Sequence, residues 1–311
     1  AYVTIPNIHR LLLNREDGQA AIEELTNFGD QRSKDLLAAF RSHLEQPPEQ
    51  LGGVEGTISN YLDFFMHPEI AEVFCANEPT FSVSKIDAGK IVCIAMPQKF
   101  QAERLYINTI LKLSYYFHAL SRFDKSAEER ERDNLIVLFA DEGQEIITGA
   151  ESAFADHRVA GIIREARATI VLATQAYTSI HGSLDKRYAE VLMLNLSNEL
   201  IFTVANQDSA VIASKNIGER EIVEKSWGWS AGKRSYNYQR KIKPFFEPYR
   251  LRKLYKFHAI IRHCEKPFRK RLIPPINPDG TFPRWFLSFR PDYAIRQWLT
   301  GKPAQPVSHY E

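Results

Sequence analysis

The sequence lacks several features that would assign the chain to a common class of site. Its only three cysteines, Cys75, Cys93 and Cys264, lack the paired spacing of zinc sites, and so few thiols favour structural cysteines in a reducing compartment. No apolar stretch is as long as a membrane span. The motif Gly-x-x-x-x-Gly-Lys-Ser/Thr is absent, and the glycine-rich segment 52–57 has Gly56 where that motif needs Lys. This segment is therefore not a phosphate-binding loop.

What is present indicates a globular protein with an uneven charge distribution. The 311 residues are 44% apolar and 25% charged, which is ordinary for one large domain or two. The chain begins at Ala1 and enters directly into Tyr-Val-Thr-Ile-Pro, so we expect sequence upstream of it. Segment 233–271 contains fourteen Lys or Arg and two acids, a charge of +12, whereas the whole chain carries +2. This asymmetry favours a polyanion partner, although a solvated basic surface is the alternative.

Residues 1–78 are predicted to form a small all-α domain. Apolar side chains recur at helical spacing, for example at Leu36, Leu37, Phe40 and Leu44. Glycine and proline separate these helical segments, and no strand pattern occurs among them.

From residue 79 the periodicity changes to alternating strands and helices. Strands are predicted at 81–86, 91–96, 135–140, 169–173 and 199–205, with a helix over 100–123. Strand and helix in alternation predict an α/β domain with a mainly parallel sheet over residues 79–275. Residues 276–311 are rich in proline and aromatics, and we expect an extended tail there.

Polar side chains follow three of the predicted strands. The apolar run from Leu135 ends in Asp141 and Glu142, the next strand ends in Thr174-Gln175, and segment 206–208 is Asn-Gln-Asp. Open α/β sheets keep their sites at the carboxyl ends of parallel strands. The sequence therefore predicts a site here, with solvated turns and loop-capping residues as the alternative.

Residues 135–175 resemble the TraG/TraD-type conjugative coupling proteins and their relatives among the FtsK/HerA hexameric motors. In that family a Walker B strand ends in Asp-Glu, a helix with an Arg-rich end follows, and the next strand ends in Gln. Segment 162–175, Ile-Ile-Arg-Glu-Ala-Arg-Ala-Thr-Ile-Val-Leu-Ala-Thr-Gln, follows this order. The resemblance extends upstream to residue 82 and downstream through segments 198–204 and 207–210. It implies a RecA-like P-loop NTPase core, with residues 1–78 where the family inserts its all-α domain.

The resemblance also implies an ATP and Mg²⁺ site. Asp141 would be the Mg²⁺ ligand, Glu142 the catalytic base and Gln175 the sensor of the γ-phosphate. Arg164 would reach the nucleotide of a neighbouring subunit, where a guanidinium stabilises transition-state charge; Arg158 and Arg167 are alternatives. Each of these arginines could instead form surface ion pairs with Glu151, Asp156 or Glu165.

The missing phosphate-binding loop is the main departure from the family. In the family this loop precedes the all-α domain, so it would lie upstream of Ala1. The chain would then be a piece of a longer ATPase, or else a degenerate paralogue that docks on an active partner. In either case we expect little or no ATPase activity from this chain alone.

DNA contacts are predicted in the basic segment. Its cationic and aromatic residues suit the lining of a motor pore that follows phosphates, although an exposed hairpin with cross-strand aromatic pairs is the alternative. The candidate residues are Lys233, Arg234, Tyr236, Arg240, Lys241 and Lys243.

The implied function is DNA translocation by a homo-hexamer during conjugation. The resemblance implies single- or double-stranded DNA as substrate, with a relaxase and a type IV secretion channel as further partners. It also implies a cytoplasmic location at the inner face of the bacterial membrane. The alternatives are another secretion or DNA-packaging ATPase of the same fold, or a non-catalytic DNA- or protein-binding adaptor.

Overall fold

A computed structural model describes residues 4–27, 29, 31–76, 82–149, 154–230 and 232–300. The chain divides into two compact units, Ala1–His118 and Ala119–Glu311. This boundary falls within a helix that starts at residue 101, whereas the sequence predicts the start of the second domain at residue 79. No described helix is long and apolar enough to cross a membrane.

All regular structure in the described residues of the first unit is helical. Its longest helix begins at Gln101 and continues into the second unit. Ile107 on this helix is buried against Phe65 and Ile70, as the helical spacing of its apolar residues predicts. Thr4 caps the first helix, because its hydroxyl accepts a hydrogen bond from the backbone N–H of Asn7 at 3.4 Å. The helices are α1 (Ile5–Leu13), α2 (Arg15–Thr26), α3 (Gln31–Leu44), α4 (Pro48–Leu62), α5 (Pro68–Phe74) and α6 (Gln101–Ser121).

Two predicted strands in this unit are not formed. Val83–Ala88 is a 3-10 helix, and residues 90–97 have no regular structure. Phe81 lies outside the described residues. Ile91, the first residue of the second predicted strand, is 97% exposed. The prediction is wrong because no other described strand of the unit pairs with this apolar run, and an unpaired strand leaves its backbone groups without partners.

The second unit contains the predicted parallel pair. Strand β1 (Ile136–Ala140) pairs in parallel with β2 (Ala168–Leu172), with Ile136 opposite Ala168 and Ala140 opposite Leu172. A short helix α7 (Ala127–Arg132) precedes β1, and α8 (Asp156–Ile162) lies in the crossover to β2. Because the strands run in the same direction, the turns that follow them lie at one edge of the sheet.

Arg122 fixes the start of both strands. Its side chain is 2% exposed, and its Nη1 donates to the carbonyl oxygens of Asn134, Ala166 and Arg167 at 3.2, 2.9 and 3.1 Å. The carbonyl of Arg167 also accepts from the backbone N–H of Ile136 at 3.0 Å. A buried guanidinium is tolerated here because backbone acceptors surround it.

The next strand leaves the parallel arrangement. The predicted strand 199–205 is formed only as β3 (Glu199–Ile201), and it pairs antiparallel with β6 (His258–His263), which pairs with β7 (Lys266–Leu272). Leu251, Ala210 and Ile260 form a core against this sheet. The connecting helices are α9 (Tyr177–Ser183), α10 (Lys186–Asn195), α11 (Gln207–Ile217) and α12 (Pro248–Leu251).

The second unit also contains a β-hairpin and two helices near its C-terminal end. Strands β4 (Glu219–Ser230) and β5 (Lys233–Pro244) form a long antiparallel hairpin. The predicted extended tail instead contains α13 (Arg284–Phe289) and α14 (Pro291–Thr300). Aromatic packing favours these helices, because Phe286 on α13 lies edge to face against Phe257 and tilted against Phe282. Residues 301–311 lie outside the described residues.

Candidate functional site

The turn after β1 holds two adjacent carboxylates in a tight backbone conformation. Glu142 adopts the left-handed region with φ 49° and ψ 41°, which is uncommon for a residue with a side chain. The Asp141 carboxylate accepts a hydrogen bond from the backbone N–H of Glu142 at 3.1 Å. Asp141 is exposed, so its carboxylate can meet a ligand from solvent.

Gly143 allows this turn to lie directly against β2. It is buried, and its N–H donates to the carbonyl of Ala173 at 2.9 Å. A Cβ at this position would lie 2.1 Å from Cδ1 of Leu172, closer than real atoms approach. Sequence reasoning missed this residue, because only the packing shows that a side chain here would displace Leu172.

Gln175 meets Glu142 across the two strand ends. Its Nε2 donates to Glu142 Oε1 at 3.0 Å, and its side chain is exposed. The two residues are 33 positions apart in sequence. The structure thus brings together Glu142 and Gln175, while Asp141 is held to the same turn.

The three candidate arginines lie elsewhere. Arg164 and Arg167 are in or just after the 3-10 helix Ile163–Ala166, which precedes β2, so they are at the opposite end of the strand pair from Glu142. Arg158 is on α8. Arg158 and Arg164 are exposed, and in the described part of the chain neither forms an ion pair with a carboxylate.

Two of the three acids that could pair with these arginines have another role or lie outside the described residues, whereas Glu165 is described and exposed. Asp156 is buried and accepts from Thr148 N at 2.6 Å and from Thr148 Oγ1 at 2.9 Å. It therefore orders the loop after the carboxylate turn. Glu151 lies outside the described residues.

The third polar segment does not reach the carboxylates. Asn206 caps α11, because its Oδ1 accepts from the backbone N–H of Ser209 at 2.7 Å. Its Nδ2 donates to Thr178 Oγ1 at 3.0 Å, and Gln207 accepts from Arg252 at 3.2 Å. The segment thus ties the start of α9 to the start of α11.

A second network holds α9 to the antiparallel sheet. Arg262 forms a bidentate pair with Glu199, with N–O distances of 3.2 and 3.0 Å. Tyr177 donates its hydroxyl to the same carboxylate at 3.0 Å. Burial, and then the negative charge of Glu199, raise the pKa of Tyr177 well above its usual range. This network fixes the backbone two residues after Gln175.

The donor set at the strand ends fits Mg²⁺ bound with a nucleotide. Mg²⁺ is held through one or two carboxylates together with waters and substrate phosphates. Asp141 and Glu142 supply two carboxylates at one turn, and Asp141 is open to solvent. In the described part of the chain, no group of three or more His, Cys, Asp or Glu forms a complete metal cage.

The hairpin separates its side chains into two faces. On one face Trp227 is opposite Tyr236 and Lys225 is opposite Tyr238. We call this the aromatic face. On the other face, Lys241 and Lys243 both form ion pairs with Glu224.

The predicted DNA-binding residues are divided between the two faces. Tyr236 belongs to the aromatic face, and so does Arg240, which is opposite Val223. Lys241 and Lys243 lie on the other face with Glu224. Their hydrogen bonds to this carboxylate, first that from Lys241 and then that from Lys243, lower the pKa of Glu224 to about 2. Lys233 and Arg234 are the first two residues of β5.

Solved structures of a coupling protein share this fold. The unbound bacterial conjugative coupling protein TrwBdeltaN70 is 14% identical with a TM-score of 0.56, over 87% of this chain and 58% of that chain. TrwB with a non-hydrolysable ATP analogue gives 15% identity and a TM-score of 0.53, over 85% and 62%. TrwB with ADP and Mg²⁺ gives 15% and 0.56 over the same shares. The chain thus spans about three fifths of the length of these proteins.

Sequence comparison assigns the family directly. Among curated proteins there is no significant match. The family model described as the type IV secretion-system coupling protein DNA-binding domain matches residues 19–271, which is most of the chain. The TraG/TraD-type resemblance and the RecA-like α/β fold predicted from the sequence are confirmed. The chain therefore belongs to the family of type IV secretion-system coupling protein DNA-binding domains.

Proposed function

We propose that the chain is part of a DNA-translocating ATPase of conjugation and carries the Walker B half of its nucleotide site. The observation that carries this proposal is the hydrogen bond of 3.0 Å from Gln175 to Glu142. It joins a carboxylate and an amide at the ends of adjacent parallel strands. TrwB, which shares this fold, has been solved with an ATP analogue and with ADP and Mg²⁺, and this supports a nucleotide ligand for the chain.

Each side chain has a chemical task in this proposal. Asp141 holds Mg²⁺ directly or through water. Glu142 accepts the proton of the attacking water, and Gln175 keeps the carboxylate oriented towards that water through its amide N–H. When bound, Mg²⁺ neutralises charge on the phosphate oxygens. The Gly143 N–H donates to the Ala173 carbonyl at 2.9 Å, and this hydrogen bond holds the backbone next to Glu142 against β2.

The β- and γ-phosphates need a binding loop that this sequence does not contain. Backbone N–H groups and a lysine form that cradle in P-loop proteins. In the proposal the loop is supplied by further sequence of the full-length protein. The absence of the loop specifically favours one other candidate function, a non-catalytic adaptor that binds DNA or protein.

Arg164 would complete the site of a neighbouring subunit in a homo-hexamer. It is exposed and without a carboxylate partner in the described part of the chain, so its guanidinium is available to a ligand from outside. An arginine supplied in trans stabilises the charge of the transferring phosphoryl group. The DNA-binding family of the chain supports DNA as the partner that is moved.

The test is ATP hydrolysis by the full-length parent protein with and without DNA. We expect DNA-stimulated turnover that Glu142→Gln abolishes, with a loss of at least about a hundredfold, because the substitution removes the proton acceptor. Glu145→Gln is the matched control, since Glu145 is an exposed carboxylate three residues later in the same segment. It should leave turnover nearly unchanged.

Two outcomes would contradict the proposal. Turnover unaffected by Glu142→Gln would exclude the assignment of the catalytic base. Absence of any DNA-stimulated hydrolysis in a parent protein that has a phosphate-binding loop would favour the adaptor. We expect the 311-residue chain alone to bind ATP weakly, and tight binding by it would show that the phosphates need no further loop.

A further inference from the structure

The β4–β5 hairpin is a ribbon whose two faces are both open to solvent. Large contiguous patches of exposed apolar surface often mark binding sites. Four aromatic residues lie on the same face of the hairpin, and each is about half exposed or more. They are Trp227 (62%), Trp229 (67%), Tyr236 (48%) and Tyr238 (62%).

The root of the hairpin is anchored, so the exposed part has a fixed position. The N–H of Phe245 donates to the carbonyl of Gly218 at 3.0 Å, and the Phe245 ring packs edge to face on Phe268 at 5.2 Å. Ser214 on α11 donates to the carbonyl of Phe246 at 2.6 Å. An isolated two-stranded ribbon is marginal in water, and these contacts hold its base to the core of the second unit.

The rings are spaced to receive flat groups. Residues two apart on a strand are about 6.8 Å apart, which is roughly twice the stacking distance of about 3.4 Å between bases. Trp227 and Trp229 are two residues apart on β4, so their side chains belong to one row along the aromatic face. Residues directly opposite each other on the two strands are about 5 Å apart. Tyr236 therefore extends the aromatic surface from β4 onto β5.

The charges on this face are also those of a nucleic-acid site. Lys225 lies over the Tyr236 ring at 4.0 Å and near the Tyr238 ring at 5.5 Å, and no carboxylate pairs with it among the described residues. Arg240 has an 80% exposed side chain, although it is 3.5 Å from Glu221. On the opposite face, Glu224 already engages Lys241 and Lys243. The aromatic face thus carries two cations beside its rings, Lys225 and Arg240, together with one carboxylate, Glu221.

We propose that the aromatic face of the hairpin binds single-stranded DNA by stacking unpaired bases on Trp227, Trp229, Tyr236 and Tyr238. Base faces are free to stack only when they are not covered by neighbouring bases, so a duplex is a poorer ligand. Stacking on aromatic side chains tolerates any base, which suits a protein that must hold DNA of any sequence. This inference rests on the proposed function, which supplies DNA as the partner. It adds that the bound DNA is single-stranded and names the residues that bind it.

The test compares three labelled ligands that separate bases from phosphates. They are oligo(dT), a duplex of the same length, and a sugar–phosphate oligomer without bases, each titrated into the 311-residue chain by fluorescence anisotropy. We expect oligo(dT) to bind tightest. Trp227→Ala should weaken oligo(dT) binding roughly tenfold and leave the other two ligands nearly unchanged, and Trp227→Phe should restore most of the affinity.

Two control variants make the result specific. Trp285→Ala removes another exposed ring of the same unit, on α13, and should change nothing. Lys241→Ala, on the opposite face, should weaken all three ligands to the same small extent. Thermal melting of each variant checks the fold, which truncation of an exposed ring should leave intact.

The outcomes distinguish this inference from the proposed function. Unchanged oligo(dT) binding by Trp227→Ala, or an equal loss for all three ligands, overturns base stacking while DNA remains the partner. Tighter binding of the duplex than of oligo(dT) overturns the strand form. If the wild-type chain binds none of the three, the proposed DNA partner fails, and the inference fails with it.

Discussion

At the scale of the residue, the candidate site depends on Gly143, which has no side chain to take part in the reaction. A side chain at position 143 would force Leu172 to move, because a Cβ there would lie 2.1 Å from Leu172 Cδ1. We expect Gly143→Ala to lower the free energy of unfolding by about 1–3 kcal/mol, as overpacking does. Gly149→Ala is the matched control, since nothing lies within 4 Å of a Cβ there. Chemical denaturation of the two variants measures the difference, and equal stabilities would contradict the close packing.

The polar residues of the site could be predicted, whereas this steric constraint could not. Asp141, Glu142 and Gln175 stand out because each directly follows an apolar run. That pattern involves only neighbouring residues, so it can be recognised in the sequence alone. The steric constraint at Gly143 comes from Leu172, a side chain on the other strand. No local sequence pattern can reveal such a constraint. The hydrogen bond from Gln175 to Glu142 follows from the parallel pairing, which the sequence did predict.

At the scale of the element, a titratable network connects α9 to the antiparallel sheet. The pKa of Tyr177 is raised by burial and by Glu199, so the folded chain favours the neutral phenol. The stability that this group contributes is fully present below about pH 10, the usual pKa of tyrosine, and is lost as the pH rises above it. We expect the unfolding midpoint to fall more steeply between about pH 10 and 11.5 in the wild type than in Tyr177→Phe. Parallel slopes in the two proteins would contradict the shifted pKa.

The same scale shows where strand prediction succeeds and fails. The run 136–140 becomes β1 because a second apolar run, 168–172, pairs with it in parallel. The run 91–96 is as apolar, yet no described strand pairs with it. The strand at Glu199 takes its partner from His258–His263, about 60 residues later. Apolarity therefore predicts the capacity to form a strand, while the pairing depends on contacts that are distant in sequence.

At the scale of the whole molecule, the placement of Arg164 separates it from its own carboxylates. The 3-10 helix that holds it precedes β2, and Glu142 follows β1, so a strand of five residues lies between the two ends. Such a strand is roughly 16 Å long, which is beyond the reach of an arginine side chain. If Arg164 acts in the reaction, it must therefore do so in the site of another subunit.

This placement predicts that two inactive variants complement each other. In the full-length parent protein, Glu142→Gln and Arg164→Ala should each abolish DNA-stimulated ATP hydrolysis, by about a thousandfold for the arginine. In the homo-hexamer proposed above, a mixed assembly would contain some interfaces where an intact Glu142 faces an intact Arg164, so mixing the two inactive proteins should restore a fraction of the turnover. Arg158→Ala is the control for a neighbouring exposed arginine on α8 and should remain active. Failure of the mixture to recover activity, when native mass spectrometry shows that the subunits have exchanged, would exclude a role for Arg164 in trans.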